Sequence, residues 1–287
     1  MFDDFPVSPA RTVSPDRYYA AYLRALEISE AVPLAHRGAR PERALYDLVQ
    51  QIYHSSENAL FRANVNARVE GLSFWLSRIK SVAEWAVASG VAAEFDGISV
   101  QFAETIARTS ASSAGLRSIE DLLLQKGIIL VHETAVPGTK VDGCAFKLKS
   151  GHAVIGMSLR YSRLDYYYFT LIHELAHIIL HENILQTPII DDFDEPEGND
   201  QIEIEANRLA RDAIIPRNKW RTCPAKYSLE ESDVIAFAEQ LDIAPQLVAG
   251  RLRKEFRRHD LFSGIVHRIN VREVLLPNAQ IHTISKA

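Results

Sequence analysis

The chain has 287 residues, 47% of them hydrophobic and 24% charged, with two cysteines and a formal net charge of −5. That composition belongs to an ordinary globular protein able to bury its own core, and it excludes a disulfide-stapled scaffold and a general attraction to nucleic acid or anionic membrane. No apolar run approaches the roughly 18 residues that span a bilayer, and the start "MFDDFPVSPARTVSPDRYY" lacks the basic end and apolar run of a signal peptide, so a cytoplasmic protein without membrane contact is expected.

A Pro/Ser/Arg leader opens the chain, followed by a helix expected over Tyr18 to Ala31 and a turn-rich "VPLAHRGARPE". From Arg43 to about Ser89 apolar residues recur at three- and four-residue spacing, among them Leu45, Leu48, Val49, Trp75, Ile79, Val82 and Trp85, which predicts helix stopped by Gly90. A further helix is expected at Ser118 to Gln125, ended by Gly127. After that glycine the character changes. "GIILVHE", "DGCAFKLK" and "HAVIGMSL" are short β-rich runs between turn residues and read as three strands of a small sheet.

"TLIHELAHIILH" follows, residues Thr170 to His181. On a helix, residues four apart share a face about 6 Å apart, so His173 and His177 can offer two imidazole nitrogens to one tetrahedral ion. Glu174 sits beside the first of them, where a carboxylate can take a proton from a metal-activated water and pass it to a leaving amine. The longer motif with a third histidine needs Gly at 180 and His at 183, and this chain has Leu180 and Asn183. His181 continues the spacing and reads either as a further ligand or as a helix-end residue favoured by the dipole. Tyr166, Tyr167, Tyr168 and His181 are the nearby candidates for an oxyanion donor, and spacing selects none of them.

An acidic connection, "DDFDEPEGND", leads to a second long helix from about Gln201 to Ile215, stopped before Pro216. The connection reads as a solvated loop able to gate the cleft between the two helices. On that helix Glu203 and Asn207 share a face, whereas Glu205 points roughly 160 to 200° away, so only one glutamate can face the metal; spacing leaves open which. Cys144, on a predicted strand near the site, is either a buried inert thiol or a thiolate able to hold the metal's water position. Further on, "VIAFAEQLDIAPQLVAGRLRKEFRRH" reads as helix, turn, helix, with Arg251, Arg253, Lys254 and Arg257 as candidate DNA or partner contacts and a packed helical subdomain as the alternative.

"FTLIHELAHIILH" and the following "EIEANRLARDAIIP" resemble the ImmA/IrrE zinc metallopeptidases, and "VPGTKVDGCAF", "AVIGMSLRYSRLDYYYFTLIHELAH" and "APQLVAGRLRKEF" resemble one branch of that family. The resemblance runs over about residues 58 to 275. It implies His173, His177 and Glu203 as ligands of one zinc ion per chain, Glu174 as general base and Asn207 as a neighbour bracing the site. With the elements read along the chain, whose boundary falls near residues 110 to 126, the expectation is an α+β, mostly helical zincin-like fold: a helical region at 1–110, a peptidase core at 111–225 with a sheet of about three strands and two metal-binding helices, and a helix-turn-helix-like subdomain with tail at 226–287. That branch usually carries an N-terminal helix-turn-helix domain, and residues 1–57 show no such pattern, so action on a partner in trans is expected. The implied function is a zinc endopeptidase cleaving a helix-turn-helix repressor encoded nearby in a stress, phage or mobile-element response, with "HAVIGMSL" as the bed for an extended substrate. The rival reading is a non-catalytic, antitoxin-like regulator that binds DNA or a partner through the same scaffold.

Overall fold

In a computed structural model, residues 15–31, 45–50, 67–136, 138–191 and 200–275 are described. The leader, the turn-rich segment after Ala31 and residues 192–199 of the acidic connection lie outside them. The chain divides into two compact units, residues 1–81 with 136–139, and residues 82–135 with 140–287.

The first unit carries α1 (Pro15–Ala31), a helical stretch at 45–50 and the larger part of α2 (Ala67–Ala88). Of the residues picked out by spacing, Leu48, Val49, Trp75 and Ile79 are buried, and Phe74 on α2 and Ala21 and Ala25 on α1 are buried besides. Val82 and Trp85, which fit the same periodicity, are exposed. Gly90 follows the end of α2 with φ +68.

The second unit carries an α+β core. After α3 (Val100–Arg108) comes α4 (Ser113–Leu124), whose N-terminus is capped by the Ser112 side chain accepting from Gly115 N at 3.0 Å. Gly127 then makes the tight turn into the sheet at φ +70, where a Cβ would lie 2.4 Å from the Phe95 backbone nitrogen. The strands are β1 (Ile128–His132), β2 (Gly143–Lys147), β3 (Ala153–Met157) and β4 (Ile189–Asp191), in the order β1-β3-β2-β4. β1 and β3 run parallel, while β2 pairs antiparallel with both β3 and β4. The fourth strand is an addition to the three expected, because β4 has only three residues and ends where the sequence turns acidic. One further expectation is corrected by this order. β3, the proposed bed for an extended substrate, is paired on both sides and has no free edge.

Helix α5 (Leu164–Leu180) lies against the sheet and α6 (Gln201–Ile214) against α5. α5 is buried on almost every side, as its continuous apolar sequence requires. α6 approaches through small residues, Ala206, Ala210 and Ala213, so the two backbones can come close. Asp200 caps α6 by accepting from Ile202 N at 3.1 Å, and Pro216 follows its end.

The remaining helices share the same core. α7 (Arg217–Arg221) and α8 (Ala225–Ser228) lead to α9 (Glu231–Gln240) and α10 (Pro245–Phe256), whose Val234, Phe237, Leu247, Val248 and Leu252 are buried in one cluster with α5. α10 meets the first turn of α5 so closely that a Cβ on Gly250 would lie 2.2 Å from Asp165 Oδ2. α11 (Ser263–Val266) and α12 (Val271–Leu275) follow. The last of these returns to the loop that feeds α5: Val271 N donates to Ser162 O at 2.8 Å and Arg272 Nε to Leu159 O at 2.7 Å.

Candidate metal centre

His173 and His177 project from one face of α5 with their Nε2 atoms 2.9 Å apart, and both side chains are buried. The neighbouring helix brings Glu203 to the same point, with Oε2 3.2 Å from His173 Nε2 and Oε1 3.4 Å from His177 Nε2. Glu205 faces another way. It is exposed, accepts from Gln201 Nε2 at 2.5 Å and lies 3.2 Å from His181 Nε2. The choice between two glutamates that spacing left open is therefore made by the rotation of α6.

A fourth donor comes from the sheet. Asp191, at the end of β4, is buried with Oδ2 3.2 Å from His173 Nε2 and 3.7 Å from His177 Nε2. His173, His177, Asp191 and Glu203 each offer one ligand atom, and these four atoms lie within 4.8 Å of one another. Two imidazole nitrogens and two carboxylate oxygens in that space make a donor set of the kind that holds a divalent transition metal. Asp191 was not singled out from the sequence, since nothing in an acidic run distinguishes the one carboxylate that strand pairing turns inward.

Glu174 is fully buried beside this cluster, and neither of its carboxylate oxygens has a hydrogen-bond partner among the described residues. Room for it is made by Gly143 on β2: a Cβ there would lie 2.1 Å from Glu174 Oε1 and 2.9 Å from Thr170 Cγ2. Burial raises the Glu174 pKa well above the usual carboxylate range, and the Asp191 carboxylate adds to it. For Asp191 the cost of burial is outweighed by His173, which holds its pKa below the usual value. Burial alone would lower His173, but its hydrogen bonds to Asp191 and Glu203 win and lift it to about 9. His177 falls to about 3 through burial and the neighbouring His173. Three carboxylates thus crowd two imidazoles and call for positive charge, the demand a bound cation meets.

The other candidates take different roles. His181 ends α5, buried, with Nδ1 3.2 Å from His177 Nδ1 and Nε2 3.2 Å from Glu205. With His177 presenting Nε2 to a cation, its Nδ1–H donates to His181 Nδ1, and His181 Nε2–H donates to Glu205; each residue orients the next. The Tyr167 hydroxyl lies 3.1 Å from His132 Nε2 and that of Tyr168 2.9 Å from Thr109 Oγ1. Tyr166 packs on Tyr161 with ring centroids 4.6 Å apart. Asn207 is buried one turn beyond Glu203, and its Oδ1 has no hydrogen-bond partner among the described residues. Cys144 is buried with its thiol pKa raised by burial and by Glu174, which disfavours a thiolate.

Two of the four cations proposed for DNA or partner contact are used within the fold. Arg251 donates to Arg211 O at 3.0 Å and Ile215 O at 2.9 Å at the end of α6, with its guanidinium 4.3 Å over the Trp220 ring. Arg253 is buried and donates to Leu261 O at 2.8 Å. Lys254 and Arg257 are exposed, Lys254 lying 5.2 Å over the Phe169 ring.

Residues 127–253 match the Peptidase M78 family, described as an IrrE N-terminal-like domain. That span holds the whole sheet, α5 and α6, and therefore every donor of the cluster. No curated protein and no solved structure matches the chain.

Proposed function

On a chain that carries an M78 metallopeptidase domain at residues 127–253, we propose a zinc-dependent endopeptidase that holds one zinc ion and cleaves a folded or extended protein partner. The observation that carries this reading is the convergence of His173, His177 and Glu203 on one point with the unpartnered Glu174 carboxylate beside it. When bound, zinc supplies the Lewis acidity that polarises a scissile carbonyl and makes a water easier to deprotonate. Glu174 accepts the water proton on its carboxylate and returns it to the departing amine nitrogen. Its burial keeps bulk water from competing for that proton. His181 and Glu205 hold the His177 ring in orientation.

The substrate proposed is a helix-turn-helix repressor or a similar regulatory protein, and its support is the sequence resemblance at 136–216. The competing view, a non-catalytic regulator using the basic face of α10 on DNA, is weakened by the internal use of Arg251 and Arg253. It has no need of a buried carboxylate at position 174.

Metal content by mass spectrometry on the wild type, Glu203→Gln and Glu205→Gln tests the centre. One zinc per chain, lost in Glu203→Gln and kept in Glu205→Gln, is the expected result. Absence of metal from the wild type after zinc is supplied would overturn the peptidase reading. Incubation with a candidate repressor, with Glu174→Gln as the inactive control, then tests the substrate.

A further inference from the structure

β4 occupies an unusual place for a strand of three residues. It runs antiparallel along the edge of β2 with Ile189, Ile190 and Asp191 opposite Ala145, Cys144 and Gly143, and Asp191 O accepts from Asp142 N at 2.8 Å. β2 is the strand that borders Glu174, through Gly143. An extended peptide brought to a cleft beside a sheet gains its main-chain hydrogen bonds by pairing with such an edge. Here that edge is already taken by the chain itself.

The side chains follow from the pairing. Residues directly opposite on antiparallel strands project to the same face, so Asp191 points to the face on which Gly143 leaves space and Glu174 lies. Its carboxylate reaches both histidines, at 3.2 and 3.7 Å, on top of the contacts already made by Glu203. A tetrahedral metal with four protein ligands is a closed, structural site, while one that does chemistry keeps a position open. Three ligands from α5 and α6 would leave that position, and the Asp191 carboxylate lies where a fourth would complete the set.

We propose that β4 is an internal occupant of the substrate strand's place, and that Asp191 is a fourth metal ligand which keeps the centre closed until β4 leaves β2. This rests on the zinc reading above. The occupant that displaces β4 is an extended segment of the protein substrate, running antiparallel to β2 and bringing its scissile carbonyl to the position Asp191 vacates. β4 suits the role, because it is a three-residue edge strand whose two isoleucines are only half-buried, so exchanging it for another strand uncovers little apolar surface. The same contacts make Asp191 raise metal affinity while it blocks access.

The test uses the full chain and two variants, Asp191→Ala and Asp191→Asn, the second keeping the side-chain shape in case the alanine variant folds poorly. Zinc affinity is read by competition with a chromophoric chelator. Access is read by titrating cobalt-loaded protein with acetohydroxamate, a small chelating probe, and following the visible absorption. The expected result is zinc affinity lower by about 10- to 100-fold in the variants, with acetohydroxamate binding at least about tenfold tighter than in the wild type. Equal zinc affinity and equal acetohydroxamate binding in all three proteins would overturn the proposal and leave the peptidase reading standing. A wild type that takes up neither zinc nor cobalt would instead remove the peptidase reading, and this proposal with it.

Discussion

Gly143 and Glu174 fit together as a space and its filling: the Cβ that any other residue would place at 143 would lie 2.1 Å from Glu174 Oε1. Gly143→Ala is therefore expected to cost about 1–3 kcal/mol of stability by overpacking. It should also displace the carboxylate from the cluster. Denaturant unfolding of Gly143→Ala, Glu174→Ala and the double variant checks this: a double variant recovering most of the loss locates the clash at Glu174, and strict additivity would place it elsewhere.

Among the described residues, His181 meets the centre through His177, and Glu205 through His181. Removing the first link should weaken zinc binding by about tenfold without changing the one-to-one stoichiometry. Glu205→Gln should change affinity by about threefold at most, since its carboxylate is exposed and solvent screens it. Chelator competition on His181→Ala and Glu205→Gln measures both. A His181→Ala protein with wild-type affinity would show that the ring orients nothing.

His132 is half-buried beside Tyr167, and its desolvation lowers its pKa to about 4 from the ordinary 6.5. A histidine held neutral in the folded protein contributes stability that is complete above its unfolded pKa and is lost as pH falls through the folded one. Between pH 6.5 and 4 the unfolded chain binds the extra proton, so stability rises with pH there, by ~3 kcal/mol in total from this group. Urea unfolding at intervals from pH 4 to 8, wild type against His132→Gln, checks it. The difference in slope should be confined to the acid window and vanish above about pH 7.

Arg251 joins the end of α6 to α10 by two hydrogen bonds to backbone carbonyls and a stack on Trp220. Arg251→Ala should lose about 1–3 kcal/mol, because two backbone carbonyls lose a charged donor and the indole loses its cation. Arg257→Ala, at an exposed position, should change stability by less than about 0.5 kcal/mol. Thermal melts of the two variants side by side decide whether this helix face is structural.

What could be read from the chain is what depends on neighbours in sequence. The four-residue spacing of His173 and His177, the turn at Gly127 and the stop before Pro216 are local, and each appears where expected. β4 and Asp191 depend on pairing with a strand more than forty positions earlier, and a run of acidic residues gives no sign of which one turns inward. α3 was not anticipated, although "VQFAETIAR" buries Ala103, Ile106 and Ala107 on one face. Arg251 and Arg253 look like a basic recognition face in one dimension, and only the positions of Ile215 and Leu261 show that they are occupied. The helix expected from Ser118 begins at Ser113, because Ser112 supplies the cap one turn earlier.

The return of α12 to the loop ahead of α5 gives the tail a mechanical hold on the histidine helix. Arg272 donates to a carbonyl 113 residues away, and Val271 does the same for the neighbouring turn. A truncation that removes Val271 and Arg272 thus unfastens the strap that anchors the start of α5, and damage done at the far end of the domain is felt at its centre.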